Sequence, residues 1–474
     1  METSNVVHPL GEGKMSFQTA AGQVYLEASD EAMTPFGGFV PLAAFFQKLG
    51  VFDSLASSCP VERSSPNASR IHDVLLSFIL ACLCDGSRFN HINRLREDPT
   101  LCELFGLKKI VSDDTVRRLF GQISPEQSGD WIAKASSLLW RAAPEHFILD
   151  WDSTVQTRYG NQEGAEVGYN PHKRGRKSHH PLLAVIAGTR LCPYYRWRAG
   201  NTGSSSQWLE AMEKAEQWMG VRPWLNRGDV GFCSEKIMAW HEQSDKPDYL
   251  FKLRLTKNLK RAIVRLDDSD WEGCPSPGLL QSTELKLQLT GWSQPRRVVV
   301  ARRLLGHIGG EDDGEFWSYA KYEYEAYVTS LSLEYARSWQ VVELYRKRAD
   351  CENVFDELKN QWGFNGFCSR YKEVTETAAR LLLVAYNTWN LFLRLLEPDR
   401  HVEARHGRRW FLFISARLVK TSRQRIWKLA ISGNWRAELM QGYQRVLAWL
   451  NLTAPQLESI RANAPPKHAE IVSI

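Results

Sequence analysis

The sequence predicts an α/β fold with helical regions on both sides of it. Three observations carry this. Helical periodicity dominates up to about residue 143. From residue 146 onward, short apolar or alternating runs read as strands (146–154, 181–188, 249–255), separated by helical runs at 205–219 and 234–240. Residues 257–330 then alternate like strands, with Gly- and Pro-rich punctuation, before helical patterning resumes.

At 474 residues the chain exceeds one small core and calls for two to four domains. Its 43% hydrophobic and 24% charged content is globular. A net charge of +6 makes the placement of the basic residues more informative than their sum. The 18 Trp fit core packing first and base stacking second. Nine Cys, an odd number without metal-ligand spacing, point to free thiols in a reducing compartment. The polar N-terminus carries no signal pattern, and the longest apolar runs (75–84, 381–386) fall far short of a membrane span. A soluble, intracellular, bacterial-style protein is expected.

In chain order, residues 1–35 are a weakly patterned arm, and 39–51 and 71–84 are helices joined by a Ser/Pro-rich connection at 59–69. Short helical pieces follow at 91–96 and 101–105. Ser112 is an N-cap, with Asp113 and Asp114 in the first turn of a helix bearing Arg117 and Arg118. The short helix, the turn at 106–109 and this basic helix suggest a helix-turn-helix that touches DNA; a bundle that only packs or dimerises is the alternative.

The strand at 146–154 ends in Asp150 and Asp152, two apart and so on one face. Strand ends are where open α/β sheets hold ligands. Residues 173–177 form a basic hairpin tip with Arg174, Arg176 and Lys177, either a phosphate clamp or a solubilising turn. Asp229 lies between Gly228 and Gly231, which let backbone approach closely on both sides. Stretches 285–289 and 297–304 read as hairpin strands, whose tip at 290–295 exposes Trp292 beside Arg296 and Arg297; packing of Trp292 on Trp271 or Trp317 is the alternative. Residues 375–396 form a long apolar helix packed under the sheet. Residues 400–428 hold nine Lys/Arg and one acid, interleaved with Trp410, Phe411, Phe413 and Trp427. That run can track a nucleic-acid backbone, or be an amphipathic helix whose Arg stems cover its own core.

Residues 345–359 read as one helix without Gly or Pro. With Tyr345 at zero, Arg348, Glu352 and Lys359 fall at roughly −60°, −20° and −40°, on the shoulder of the apolar face. Charges there suggest the wall of a cleft.

The spacing Tyr345-x2-Arg348-x3-Glu352-x6-Lys359 resembles the signature that closes the active site of DDE transposases in the IS4-related supergroup. Asp152-Ser-Thr154, Gly160-Asn-Gln-Glu-Gly-Ala165, Arg198-Ala-Gly-Asn201 and Gly228-Asp-Val-Gly-Phe232 are similar to motifs of its IS1380-like branch. The resemblance implies an RNase H-like catalytic domain, a mixed sheet flanked by helices, at 144–256 and 331–396. It implies a β-rich insertion at 257–330, a helical N-terminal DNA-binding region at 1–143, and a basic helical C-terminal region at 397–474. Asp152, Asp229 and Glu352 would be the catalytic acids, holding two Mg²⁺ (or Mn²⁺) ions, since hard cations prefer carboxylate oxygen. Tyr345, Arg348 and Lys359 would meet the DNA, and Trp292 would stack a flipped base. The implied partners are double-stranded DNA with terminal inverted repeats and target DNA, met by a homodimer, in the bacterial cytoplasm at the nucleoid and without a membrane. The implied reaction is hydrolysis at inverted-repeat ends, then strand transfer by the freed 3′-OH. Rival readings are a metal-dependent nuclease or resolvase without strand transfer, and a catalytically inactive DNA-binding regulator. No G-x-S-x-G, Walker lysine or zinc-ligand spacing supports another chemistry.

Overall fold

The computed structural model describes residues 9–10, 14–28, 31–63, 65–275, 280–309, 318–421 and 424–461. Its centre is a nine-stranded sheet. The strands are β1 (Ile148–Ser153), β2 (Leu182–Ile186), β3 (Leu191–Arg196), β4 (Leu225–Gly228), β5 (Asp248–Leu253), β6 (Glu272–Gly273), β7 (Leu280–Leu287), β8 (Arg296–Gly309) and β9 (Ser318–Thr329). Their order is β3-β2-β1-β4-β5-β9-β8-β7-β6. β1 and β5 run parallel to β4; every other neighbouring pair is antiparallel.

The strand sequences explain their place. β2 reads Leu-Leu-Ala-Val-Ile and is buried throughout, as a strand covered on both faces should be. In β1 the alternation sorts the side chains: Leu149 and Trp151 join one core, while Ile148 joins the other. Trp151 packs edge-on against Trp208 of helix α1 (Trp208–Met219), with ring centroids 5.7 Å apart. The opposite face is covered by helix α2 (Ser338–Arg346), whose Val341, Val342 and Leu344 share a core with Ile148, Leu225 and Leu250. Helix α3 (Ala349–Gln361) follows α2 directly.

The β-patterned stretch 257–330 contributes β6 to β9, and these strands continue the same sheet. β9 pairs with β5, from Leu250↔Thr329 to Leu253↔Ala326. Helix α4 (Lys372–Leu396) is 25 residues long and almost wholly buried. It lies against edge strand β3 and serves as the axle of the helical body, packing on helices Ile71–Leu83, Asp113–Phe120, Pro125–Ser136 and Asn434–Leu450. A buried Glu376–Arg380 ion pair of 2.7 Å sits on its flank facing Ser128.

Two regional expectations are corrected. Within the weakly patterned first 35 residues, Lys14–Thr19 and Gly22–Glu27 form an antiparallel hairpin. The C-terminal region is not wholly helical: Ala416–Thr421 and Gln424–Leu429 form a hairpin that also pairs with Met33–Thr34, and helix Asn434–Leu450 comes after it. Period-two alternation in Arg417-Leu-Val-Lys420 and Arg425-Ile-Trp-Lys428 outweighs the helical reading. Among the described residues no single helix is long and apolar enough to cross a membrane.

Two histidines are sealed into these cores. Nδ1 of His179 accepts hydrogen bonds from Arg158 Nε (3.1 Å) and Trp197 Nε1 (3.2 Å), which requires the neutral ring. His241 lies among Trp208, Tyr249 and Phe251. Burial pulls both pKa values from 6.5 to about 4. The unfolded chain therefore takes up these protons near pH 6.5, and the folded chain only near pH 4. The sign follows: their contribution is complete above about pH 6.5 and is lost as pH falls towards 4, by about 3 kcal/mol for each ring. Melting curves between pH 7 and 4 should fall accordingly, and His241→Asn should flatten that slope while lowering the plateau.

Candidate active site

The two sheet acids are set by strand register. β1 and β4 are parallel neighbours with Leu225 opposite Ile148 and Gly228 opposite Trp151, an offset of 77 residues. Continued by one residue, the same offset (229 − 152 = 77) sets Asp229, just past the end of β4, level with Asp152 near the end of β1, and the two carboxylates interact electrostatically. Asp152 Oδ1 accepts the Ser153 backbone N–H at 2.8 Å, and Asp229 Oδ1 accepts that of Gly231 at 2.8 Å. The glycines are needed here for space. A Cβ at 228 would lie 2.9 Å from the Phe232 ring, and one at 231 would lie 2.7 Å from Ser204 and 3.0 Å from the Asp229 carboxylate.

Asp150, two residues before Asp152, has a different environment. It is buried and bound in a fork to Arg227, with Nε–Oδ1 of 2.6 Å and Nη2–Oδ2 of 2.7 Å. Arg227 Nη1 donates to the carbonyl of Leu344 in α2. The pair thus ties β1, β4 and α2 together. The 77-residue offset joins Asp150 to Arg227 as it joins Asp152 to Asp229, so Arg227 was open to discovery from the sequence once the register was known.

Residues 345–359 are not one helix. α2 ends at Arg346, Lys347 and Arg348 form a turn, and α3 begins at Ala349. The break carries Arg348 under the sheet acids. Its side chain, 4% exposed, lies 2.9 Å from Asp152 Oδ2 and 3.7 Å from Glu352 Oε1. It also donates to the Trp151 carbonyl at 3.1 Å. Tyr345 is buried against Tyr327, and Tyr345, Arg348 and Glu352 line one cleft of about 720 Å³ between α2, α3, β8 and β9. Lys359 is half-buried outside this cleft, within electrostatic reach of Asp152.

Charges follow from this packing. Burial raises the Asp152 pKa, and the Asp229 charge adds to that rise against the pull of Arg348. Burial works against the Arg348 cation, but Asp152, together with Cys351, Tyr345 and Asp150, outweighs it and keeps the guanidinium pKa raised. Burial lowers the Lys359 pKa, with Asp152 opposing. Burial raises that of Tyr345, and the nearby aspartates add to it.

The donor chemistry suits a hard divalent cation, because all three acids offer carboxylate oxygen. Their arrangement is less complete. Among the described residues no three His, Cys, Asp or Glu side chains are gathered closely enough to hold a metal ion. Asp152 and Asp229 adjoin, whereas Glu352, 71% exposed, stands beyond Arg348.

The other sequence-derived residues are spread more widely. Arg174 and Arg176 lie on an exposed turn between strands Glu166–Val167 and Lys177–His179, and Lys177 is the exposed first residue of the second strand. They make no side-chain ion pair among the described residues. Helix Asp113–Phe120 is capped by Ser112 as expected, but Arg117 is paired with Asp113 at 2.9 Å and with Asp114, while Arg118 is exposed. The expected hairpin tip departs most. Trp292 is half-buried, with the Arg296 guanidinium 5.3 Å from its ring centroid. Arg296 is buried between Glu235 and Glu242, and Arg297 is held by Glu284 and the carbonyls of Leu331 and Ala336. Both guanidinia are committed internally, so the picture of two free cations beside an exposed Trp is corrected. The expected alternative contact with Trp317 lies outside the described residues.

Asp152 near the end of β1 and Asp229 just past β4 are thus faced by a helix pair carrying Arg348, Glu352 and Lys359. The family model for transposase DDE domain group 1 matches residues 18–450, and the chain belongs to this family of DDE transposases. No curated protein matches the chain. Among solved structures it is similar to a cryo-EM structure of a piggyBac transposase synaptic complex with hairpin DNA. The identity is 12%, over 90% of this chain and 86% of that one, with a TM-score of 0.40.

The Asp150–Arg227 pair makes a separable claim. Asp150→Asn should cost about 3–5 kcal/mol of stability, the scale for breaking a buried pair. Asp150→Leu with Arg227→Met should recover more than half of that loss in chemical denaturation. An Asp150→Asn protein that unfolds like wild type would assign Asp150 elsewhere.

Proposed function

We propose that this chain is an insertion-sequence transposase that hydrolyses phosphodiesters at the inverted-repeat ends of its element and then joins the freed 3′-OH to target DNA. The observation that carries the reading is the juxtaposition of Asp152, near the end of β1, and Asp229, just past the end of the parallel neighbour β4, with Arg348 and Glu352 on the facing turn and helix. The central order β3-β2-β1-β4-β5, three antiparallel strands joined to parallel ones, supports an RNase H-like catalytic domain. Family membership supports the same chemistry. The IS1380-like branch rests on the motifs at 152–154, 160–165, 198–201 and 228–232.

Asp152, Asp229 and Glu352 would hold the metal, as two Mg²⁺ or Mn²⁺ ions. Such ions, when bound, stabilise charge on the attacking and leaving oxygens of the phosphate. The chain's own groups do the rest. Arg348 neutralises part of the charge that Asp152 and Asp229 concentrate, and holds Asp152 at the strand end. Glu352 completes the acid set from the exposed edge of α3. Lys359, kept within reach of Asp152, and Arg348 meet the phosphate beside the bond that breaks. Tyr345 forms the wall along which that strand lies. Arg174, Arg176 and Lys177 hold the duplex further out, and Arg118 is a further exposed contact. Double-stranded DNA with terminal inverted repeats and target DNA are the partners. A homodimer on two ends is the natural assembly, because cutting both ends together favours closed two-fold symmetry. Trp292 can stack a base only if its cover by Arg296 opens.

Asp152→Asn, Asp229→Asn and Glu352→Gln should each reduce end cleavage in Mg²⁺ by about a hundredfold or more, the scale of one contact to developing charge. Binding to the ends should persist, because phosphate contacts elsewhere supply it. Near-native nicking by any one of the three removes that residue from the set. Supplying target plasmid separates strand transfer from hydrolysis alone. Neutralising Arg174, Arg176 and Lys177 together should reduce the slope of log K against log salt by about 2.7, at about 0.9 per phosphate contact. An unchanged slope would make the tip a solubilising turn.

A further inference from the structure

The motif Arg198-Ala-Gly-Asn201 touches no acid, yet its contacts lead to both acid-bearing strand ends. Arg198 is buried and, among the described residues, has no carboxylate partner. Its Nε donates to the His180 carbonyl at 2.9 Å. Its Nη1 faces the carbonyls of Gly203 (3.2 Å), Ser204 (3.0 Å) and Ser206 (2.9 Å). His180 returns to the same loop, with Nδ1 2.6 Å from the Thr202 carbonyl oxygen. One cation thus gathers four backbone carbonyls and fixes the loop 202–206.

That loop presents Ser204 between the acids. Its Oγ lies 2.9 Å from the Oγ of Ser153, the residue after Asp152. On the other side it abuts Gly231, whose N–H is held by Asp229. Any side chain at 231 would meet Ser204 first. Gly200 of the same motif is wedged against the basic hairpin: a Cβ there would lie 2.1 Å from the Ser178 carbonyl and 2.4 Å from that of Glu166.

We propose that Ser204 is a positioning residue that sets the separation of Asp152 and Asp229, and that Arg198 acts through it by clamping its loop. A loop needed only for the fold could be held by apolar packing. A buried guanidinium gives directional hold, because its planar fork fixes several acceptors at once. The inference rests on reading Asp152 and Asp229 as metal-holding acids, so the experiment separates the two.

The experiment uses the full chain and Mn²⁺ alone, with bound and free ion distinguished by electron paramagnetic resonance, beside thermal melting. Ser204→Ala should weaken Mn²⁺ binding roughly 2- to 10-fold, the effect of one neutral hydrogen bond, with its melting temperature kept. Ser153→Ala should do the same. The double variant should bind no more weakly than the weaker single one, since both remove one bond. Arg198→Lys should weaken binding in the same direction; if it fails to fold, the serine variants still decide. Wild-type Mn²⁺ binding by Ser204→Ala, while Asp152→Asn and Asp229→Asn lose it, overturns the strut and keeps the acid pair. Unchanged binding in both aspartate variants overturns the acid pair and the strut with it. Weakening that only tracks a lowered melting temperature also overturns the positioning role.

Discussion

The buried fork between Asp150 and Arg227 is the interaction on which the site geometry depends. It crosses from β1 to β4 and, through the third donor of Arg227, reaches the last turn of α2. Desolvating two charges offsets most of their attraction, so such a pair contributes little net stability. What it contributes is alignment. With Asp150 and Arg227 locked, the residues two further along each strand must emerge side by side. The end of α2 must also lie beneath them.

From that end the chain has to turn. Arg348 gives up a regular helical position to reach Asp152 and the Trp151 carbonyl. One buried cation then stands against two adjacent acids, and a third acid waits at the rim. Burial raises the Asp152 pKa, and the Asp229 charge adds to the rise against the pull of Arg348. A DNA phosphate at the proposed site would bring more negative charge to the same place. Arg348 and the half-buried Lys359 are therefore as much part of the charge balance as the acids are.

Much of this was legible in the sequence. The strand reaching Asp152 was visible as a short apolar run with acids near its end, and the site at Asp229 by its flanking glycines; a carboxylate inside a buried strand needs a buried partner, as Asp150 has in Arg227. The cleft-side placing of Tyr345, Arg348 and Glu352 followed from helical angles, even though the helix is in fact broken. The break itself left no trace, because 345–359 contains neither Gly nor Pro and the cause is tertiary. Arg296 and Arg297 were misread for a similar reason. Their carboxylate partners, Glu235, Glu242 and Glu284, lie 13 to 61 residues away in sequence. No local pattern distinguishes a free arginine from one with a distant partner. The C-terminal hairpin was more accessible, since its alternation was present and the run of basic charge drew attention from it.

The continuity of the sheet through β9 bears on how this chain can be cut down or grafted. Read by composition, 257–330 has the look of a cassette that could be removed. Its last strand, however, supplies the hydrogen-bonded neighbour of β5, a strand whose Leu250 and Phe251 are fully buried. Excision would leave an open ladder of backbone donors and acceptors along an apolar strand, next to the one that leads to Asp229. Such an edge invites pairing with another chain. The segment is therefore part of the wall that keeps the catalytic sheet closed, and a minimal version of this protein has to retain at least β9 or an equivalent cap.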